Sequence, residues 1–221
     1  MLLAKQIIAC NACPRLREHC ETVAVEKRRA YTGETYWGKP VPGFGDPAAW
    51  LWIVGLAPGA HGANRTGRVF TGDRSGDFLY AALHRARWAN QPTSTSRDDG
   101  LQLTGVYISA AARCAPPGNK PTPAELAACS GFLDREWELL ANKRAILALG
   151  KIAWDAAILL AGRNGVAIPS PRPAFGHGAS AKLGGVMLFG SYHVSQQNTF
   201  TGKLTPAMFD AVLRKCLAGA D

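Results

Sequence analysis

The sequence has no apolar run long enough to span a membrane, which takes about 20 residues in a helix. Its first residues form a short apolar stretch, but Lys5 interrupts that stretch and no small-residue cleavage site follows it. We therefore expect neither a transmembrane segment nor a signal peptide. The expected location is the cytoplasm, where cysteines stay reduced.

The sequence also lacks internal repeats and any break in composition that would separate two domains, so one domain over residues 1–221 is predicted. Hydrophobic residues make up 47% and charged residues 19%, a balance typical of a folded globular chain. Acidic residues are scarce, because 16 Asp and Glu stand against 25 Lys and Arg for a net charge of +9. This excess is typical of proteins that bind nucleic acid, although an ordinary solvated basic surface has the same composition.

Four apolar runs have the length and composition of buried strands. They begin at Trp50, Gly105, Ala145 and Val186, and helical patterns separate them. This alternation predicts an α/β fold whose parallel sheet is covered by helices on both faces. Such sheets bind ligands at the carboxyl ends of their strands.

Several helix boundaries are marked by residues that cap free backbone groups. Thr122 and Glu125 predict a capping box at the start of one helix, and Thr205 is the predicted N-cap of another. Gly162 is the predicted C-cap of the helix that follows the third strand. The Pro- and Gly-rich segment 166–185 is predicted to be a long connection, a feature that is more often functional than accidental.

Cysteines are few, but four of the six form two pairs that could supply the thiolates of a metal site. Four thiolates suit either a tetrahedral zinc ion or a 4Fe-4S cluster. The second pair is not a C-x-x-C motif, which argues against an ordinary zinc ribbon, and unrelated free thiols remain an alternative. Cys20 and Cys216 are left over. The paired residues are Cys10, Cys13, Cys114 and Cys129.

The stretch from Val54 to Gly76 has the glycine density of a phosphate-binding loop. Its spacing imitates a P-loop, but Arg68 stands where the lysine is needed and Val69 where Ser or Thr would bind magnesium. No G-x-G-x-x-G motif follows the strand, so nucleotide binding is the weaker interpretation. What remains is a long loop that feeds into a helix and whose backbone amides can face an anion or a carbonyl group.

Taken together, these features resemble the uracil-DNA glycosylase superfamily, and within it the family 5 branch of bacterial and archaeal iron-sulfur enzymes. The resemblance runs from about Cys10 to Thr205 in the family's order. It implies a three-layer α/β/α sandwich with a central four-stranded parallel sheet, and a 4Fe-4S cluster bound by Cys10, Cys13, Cys114 and Cys129. The matching stretches are the first cysteine pair, "GLAPGAHGANRTGRVFTGD", "CAPPGNKPTPAELAAC", "FGHGA" and "YHVSQQNTFTGKLT".

The resemblance also implies an activity: hydrolysis of the bond between sugar and base at uracil, and at deaminated purines such as hypoxanthine, in DNA. The damaged base must leave the stack to be reached. His193 would donate a hydrogen bond to the departing base and Phe70 would stack on it.

We expect a monomer, because an isolated lesion requires no symmetry. Residues expected to meet the base are Ala57, Gly59, His61, Gly62, Phe70 and Asn198, and those expected to contact DNA are Arg65, Arg68, His177, Gln196, Gln197, Thr199 and Phe200.

One departure from the wider superfamily affects the mechanism. Many relatives have Asp or Asn in the loop after the first strand to position water, whereas this sequence has Ala57 and Ala60 there. Asp73 is the first candidate to replace that residue and Asn119 the second, although Asp73 could equally be the N-cap of the next helix. If no residue positions water, the alternative is a non-catalytic module that binds damaged DNA.

Overall fold

A six-stranded sheet with a parallel centre lies between two layers of helices. The structure is a computed structural model that describes residues 2–220, so Met1 and Asp221 of the predicted domain lie outside it. Within that range, no helix is both long and apolar enough to cross a membrane. The strands are β1 (Phe44–Gly45), β2 (Leu51–Gly55), β3 (Val106–Ala110), β4 (Ala145–Leu149), β5 (Ser180–Leu183) and β6 (Val186–Ser191).

The strand order is β1-β3-β2-β4-β6-β5. The four central strands are parallel, with Ile53 of β2 opposite Ile108 of β3 and Leu147 of β4, so the predicted four-stranded parallel sheet is confirmed. Two short antiparallel strands extend its edges. One of them, β5, lies inside segment 166–185, which therefore is not the continuous connection that its Pro and Gly content predicts.

The helices begin where the sequence marks their caps. The Thr122 hydroxyl accepts from the amide of Glu125, whose carboxylate accepts from the Thr122 amide, which confirms the capping box. The helix after β4 runs past Gly162 and is capped by Asn164. The helices are α1 (Leu2–Ile8), α2 (Pro14–Glu26), α3 (Ala63–Thr66), α4 (Arg74–Arg85), α5 (Pro123–Leu139), α6 (Lys151–Arg163), α7 (Gln196–Phe200) and α8 (Pro206–Ala218).

The core has one layer on each face of the sheet. Strand β2 is buried on both faces, so its alternate residues serve different layers. Leu51 and Ile53 pack in the layer that contains α4 and α8, and Trp52 and Val54 pack in the layer with α5 and α6. The indole of Trp52 donates to Ser109 Oγ at 2.8 Å, which satisfies its polar group inside the core. The carboxyl ends of the parallel strands are thereby held rigidly at one edge.

Candidate active site

A cleft of about 770 Å³ opens at the carboxyl ends of β2, β3 and β6. Its volume lies within the range of about 300–1,000 Å³ that is common for small-molecule sites. The loop after β2 supplies most of the lining, and the segments after β3, β6 and α2 supply the rest. The predicted residues that line it are Ala57, Gly59, His61, Gly62, Phe70, Asp73, Asn119, His193, Gln196 and Gln197.

Phe70 occupies the cleft with an unusual backbone conformation. Its φ angle is +50°, in the left-handed region that residues other than Gly, Asn and Asp rarely adopt. Glycines allow this arrangement from two sides: a Cβ atom on Gly55 would lie 2.7 Å from the Phe70 ring, and one on Gly76 would lie 1.9 Å from the Phe70 carbonyl oxygen. Strain of this kind persists only where the surroundings enforce it, and it clusters at functional sites.

His193 lies beside Phe70, with the two ring centroids 6.2 Å apart and the ring planes inclined by 38°. Burial lowers the pKa of His193, so the imidazole is neutral at pH 7. A neutral imidazole still has one N–H group to donate. The side chain of Asn198 donates to the His193 carbonyl oxygen at 2.8 Å, so Asn198 fixes the loop that carries the histidine.

His177, for which the sequence predicted a DNA contact, is half-buried and contacts the residue that follows β6. Its ring stacks on Tyr192 at 4.9 Å between centroids, and its Nδ1 atom accepts from the Tyr192 amide at 3.2 Å. Tyr192 is the residue before His193, so His177 supports the end of β6 from which the candidate catalytic histidine projects.

Asp73 is the N-cap of α4, one of the two interpretations that the sequence left open, and its side chain also lines the cleft. Its Oδ1 atom accepts from the Gly76 amide at 3.0 Å and caps α4. Its Oδ2 atom faces the loop after β2, where a Cβ atom on Gly59 would lie 2.8 Å away and one on Gly62 only 2.0 Å away. Burial raises the pKa of Asp73, against hydrogen bonds from the amides of Gly76 and Ser75. The Asp73 side chain therefore caps α4 and lines the cleft at the same time.

The remaining predicted residues lie toward the solvent. Asn119 is exposed at the end of a short 3-10 helix, Pro117–Asn119, and has a φ angle of +58°. Helix α7 follows the cap Ser195 and places Gln196 and Gln197 in the lining of the cleft, while Thr199 lies further along the helix, outside that lining. Phe200 ends this helix with 68% of its surface exposed, an unusual environment for a phenylalanine.

Arg65 and Arg68 require a correction, because the structure buries both side chains where the sequence predicted DNA contacts. Arg68 is 4% exposed and binds Asp99 and Ser94, each at 2.7 Å. Arg65 is 8% exposed, pairs with Glu34, and stacks its guanidinium on the Tyr31 ring at 3.9 Å. Guanidinium groups committed to internal partners in this way support the loop and are not available to phosphates.

The geometry of the cleft agrees with comparisons to known proteins. A family model described as "Uracil DNA glycosylase superfamily" matches residues 42–216. The chain belongs to the uracil-DNA glycosylase superfamily. The predicted branch is confirmed by relatives named "Type-5 uracil-DNA glycosylase". One from Mycobacterium bovis is 57% identical and covers 97% of this chain and 80% of the relative. Others from Thermus thermophilus and Pyrobaculum aerophilum are 53% and 43% identical, covering 96% and 97% of this chain and 95% and 91% of the relatives.

In this superfamily member the four paired cysteine thiols lie near one another. Burial, together with the nearby Cys129, Cys114, Glu125 and Cys10, raises the pKa of Cys13 to about 11. All four are free thiols. Within residues 2–220, no three His, Cys, Asp or Glu side chains are close enough to share one metal ion.

Buried arginine nitrogens next to these thiols suit an anionic group. Arg17 Nη1 lies 4.0 Å from Cys114 Sγ, and the Nε atom of Arg17 is buried without a hydrogen-bond partner among the described residues. Arg113 has two such atoms, Nε and Nη1. Burial raises the pKa of Cys129, and the hydrogen bond and charge of Arg113 oppose that rise. A cluster bound by four thiolates is anionic, so the donor set and the unpaired N–H groups both fit it.

Sequence reasoning missed three residues of the site. Arg28 and Tyr31, which follow α2, line the cleft opposite the loop after β2. Tyr36 is buried and contacts His61. All three precede β2 and lie far along the chain from the loop that they meet; Tyr36 is 25 residues before His61. A polar or aromatic residue in an irregular segment has no periodic pattern that would reveal such a contact.

Proposed function

We propose that this protein is a DNA glycosylase that hydrolyses the N-glycosidic bond of uracil in DNA. The observation that carries the proposal is the pairing of Phe70 and His193 at the carboxyl edge of the sheet, with Asp73 Oδ2 on the glycine loop next to them. An aromatic platform, a neutral hydrogen-bond donor and a carboxylate are the three groups this hydrolysis needs. The type-5 relatives are named for the same activity.

In the proposed reaction the damaged nucleotide rotates out of the duplex and its base stacks on Phe70. Extrusion costs a few kcal/mol, and least for a mispaired base, which favours lesions over normal pairs. As the glycosidic bond breaks, its electron pair moves to the base and the sugar becomes cationic. The N–H group of His193 donates to the base oxygen where negative charge develops, which lowers the barrier.

Asp73 is proposed to position the water that attacks the cationic sugar carbon. Its Oδ1 atom is held by the Gly76 amide, which fixes the carboxylate and leaves Oδ2 directed at the loop of Gly59 and Gly62. Water donates one hydrogen bond to Oδ2, its oxygen joins the sugar carbon, and its proton is released to solvent. Asn119, exposed at the rim, is the second candidate for this role.

Deaminated purines such as hypoxanthine are proposed as additional substrates. A purine is wider than uracil, so the pocket must offer extra room. The loop has Ala57 and Ala60 where many superfamily members have Asp or Asn, and the cleft volume of about 770 Å³ leaves space for a bicyclic base.

A 4Fe-4S cluster bound by Cys10, Cys13, Cys114 and Cys129 is proposed as the cofactor. Its role would be structural, because its ligands come from the segment between α1 and α2 and from the segment around α5. Joining these segments would hold Arg28 and Tyr31, which follow α2, against the cleft. Iron, sulfide and zinc analysis of the purified protein, with its visible spectrum, tests this: zinc without iron would reject the cluster.

DNA is proposed to lie across α7 and the mouth of the cleft, with the protein acting as a monomer. Gln196 and Gln197 would face the minor groove, and Thr199 or Phe200 would fill the gap left by the extruded base. Arg28 and Arg74 line the cleft and are exposed, and they are better placed than Arg65 and Arg68 to meet phosphates.

The decisive experiment uses duplexes that contain uracil, hypoxanthine, xanthine or no lesion. Wild-type protein loaded with iron should leave alkali-labile abasic sites in the uracil duplex, and more slowly in the purine duplexes. If it retains the uracil duplex tightly and releases no base, the alternative of a non-catalytic binding module is correct.

A further inference from the structure

Tyr36 and His61 form a pair that the proposed mechanism does not use. The Tyr36 hydroxyl lies 3.1 Å from His61 Nδ1, and the two rings meet edge to face with centroids 6.1 Å apart. Tyr36 is 8% exposed, whereas His61 lines the cleft. A buried tyrosine thus contacts one ring nitrogen of a histidine whose other side is open to the substrate.

The direction of this hydrogen bond follows from the partners of the hydroxyl. The backbone amide of Arg28 donates to the Tyr36 oxygen at 3.4 Å, so that oxygen already acts as an acceptor. Among residues 2–220, His61 Nδ1 is the one remaining partner of this hydroxyl. A buried O–H group requires an acceptor, so Tyr36 donates and Nδ1 accepts.

The tautomer of His61 follows in turn. A neutral imidazole whose Nδ1 accepts must have its proton on Nε2. Burial, together with the nearby charges of Arg28, Arg65 and His19, lowers the pKa of His61, which keeps the ring neutral at pH 7. No hydrogen bond within the described residues uses Nε2, so its N–H group is free to donate into the cleft.

Resting on the proposed function, we propose that Tyr36 is a positioning residue that holds His61 as a donor to a phosphate oxygen of the nucleotide being extruded. The base itself is assigned to Phe70 and His193. Arg28 lines the same cleft, is exposed, and makes no side-chain ion pair among residues 2–220. A free guanidinium beside an N–H donor matches the oxygen acceptors of a phosphodiester.

Nitrogen-15 NMR of the histidine rings tests the tautomer without any turnover. In wild-type protein, His61, assigned by its disappearance in His61→Gln, should show a protonated Nε2 and a hydrogen-bonded, unprotonated Nδ1. In Tyr36→Phe the Nδ1 signal should move to that of a free nitrogen. A proton on Nδ1 in the wild type would overturn the proposal, whether or not the protein cleaves uracil DNA.

Kinetics on a uracil duplex test the consequence. Tyr36→Phe should raise KM about fivefold and change the single-turnover rate at saturation by less than about twofold, since a ground-state contact is weakened. Glutamine places an N–H group where Nε2–H lies, so His61→Gln should retain most of the affinity, whereas His61→Asn should lose about tenfold. In the His61→Gln background, Tyr36→Phe should have little further effect.

The matched control is Tyr107→Phe, which also removes a buried phenol hydroxyl but one that contacts Glu136 on the other side of the sheet. It should leave KM unchanged. If Tyr36→Phe raises KM equally in the wild-type and His61→Gln backgrounds, Tyr36 does not act through His61. If a duplex with uncharged methylphosphonates on both sides of the uracil is bound by wild-type protein as tightly as its normal counterpart, the phosphate assignment is wrong.

Discussion

The inner wall of the cleft and its outer rim are built in opposite ways. The inner wall, Phe70 to Asp73, has a left-handed backbone at Phe70 and is packed against Gly55, Gly59 and Gly62. The outer rim, helix α7, is short, is capped by Ser195, and ends in an exposed Phe200. The difference separates two tasks: chemistry requires groups fixed in advance, whereas a surface that meets DNA must adapt to it.

The largest expected effect comes from His193, which completes the chemical side of the cleft. His193→Ala should lower the single-turnover rate on a uracil duplex about 100- to 1,000-fold, because the developing charge on the base loses its donor. Binding of the uracil duplex should change by less than about threefold. If His193→Ala weakens binding of the duplex and leaves the rate unchanged, His193 contributes to DNA binding and not to the chemical step.

Asp73 tests whether one inner-wall residue performs two roles. Asp73→Asn should keep the cap on α4, since Asn caps as well as Asp, yet lower the cleavage rate about 100-fold. Asp73→Ala should lose the same activity and also about 1 kcal/mol of stability in urea unfolding. Asn119→Ala serves as the comparison. If Asn119→Ala lowers the cleavage rate more than Asp73→Asn does, Asn119 positions the water and Asp73 does not.

Acidic pH should weaken the ion pair between Asp99 and Arg68, which supports the loop that carries Phe70 and Asp73. Burial opposes ionisation of Asp99, but hydrogen bonds from Arg68 and three backbone amides lower its pKa to about 2. The folded pKa is below the unfolded value, so this stabilisation is present above about pH 4 and is lost as the pH falls toward 2. It amounts to about 2 kcal/mol. Urea unfolding at pH 6 and pH 2.5 should show this loss in the wild type and its absence in Asp99→Asn.

The smallest effect is expected at the outer rim. Phe200→Ala should raise KM for the uracil duplex about five- to tenfold and leave the free energy of unfolding unchanged, because the side chain is 68% exposed. The matched control is Leu217→Ala, because Leu217 is also an exposed apolar residue but lies on α8. This substitution should change neither KM nor the free energy of unfolding. A loss of stability in Phe200→Ala would mean that the rim is as rigid as the wall.

Much of the fold could be predicted because its signals are local. The apolar runs from Leu51 and Ala145 and the cap at Thr122 are each contained in a few adjacent residues. Strand β5 could not be predicted, because its residues "SAKL" are mostly not buried and lie in a Pro- and Gly-rich segment. Burial of apolar side chains stabilises the four central strands and leaves a pattern in their sequences. Strand β5 is stabilised by pairing with one neighbour, β6, which leaves no such pattern.

The site could be predicted only in part, for a related reason. The family resemblance placed Phe70, Asp73 and His193 in one cleft, and all three line it. The resemblance could not show that Arg68 would bind Asp99, which lies 31 residues away. The sequence around an arginine in a loop does not indicate whether its side chain faces DNA or the core. The predicted ligation by four cysteines and the roles of the catalytic residues remain predictions.

In the proposed mechanism Asp73 has two uses, which link the opening of a helix end to the loss of a chemical step. Helix ends open more readily than whole domains, and α4 begins at the residue whose other oxygen serves the cleft. In that mechanism, opening of the first turn of α4 would turn the carboxylate away from the water while the sheet stays intact. We therefore expect activity to fall reversibly on warming, below the temperature at which the whole protein unfolds.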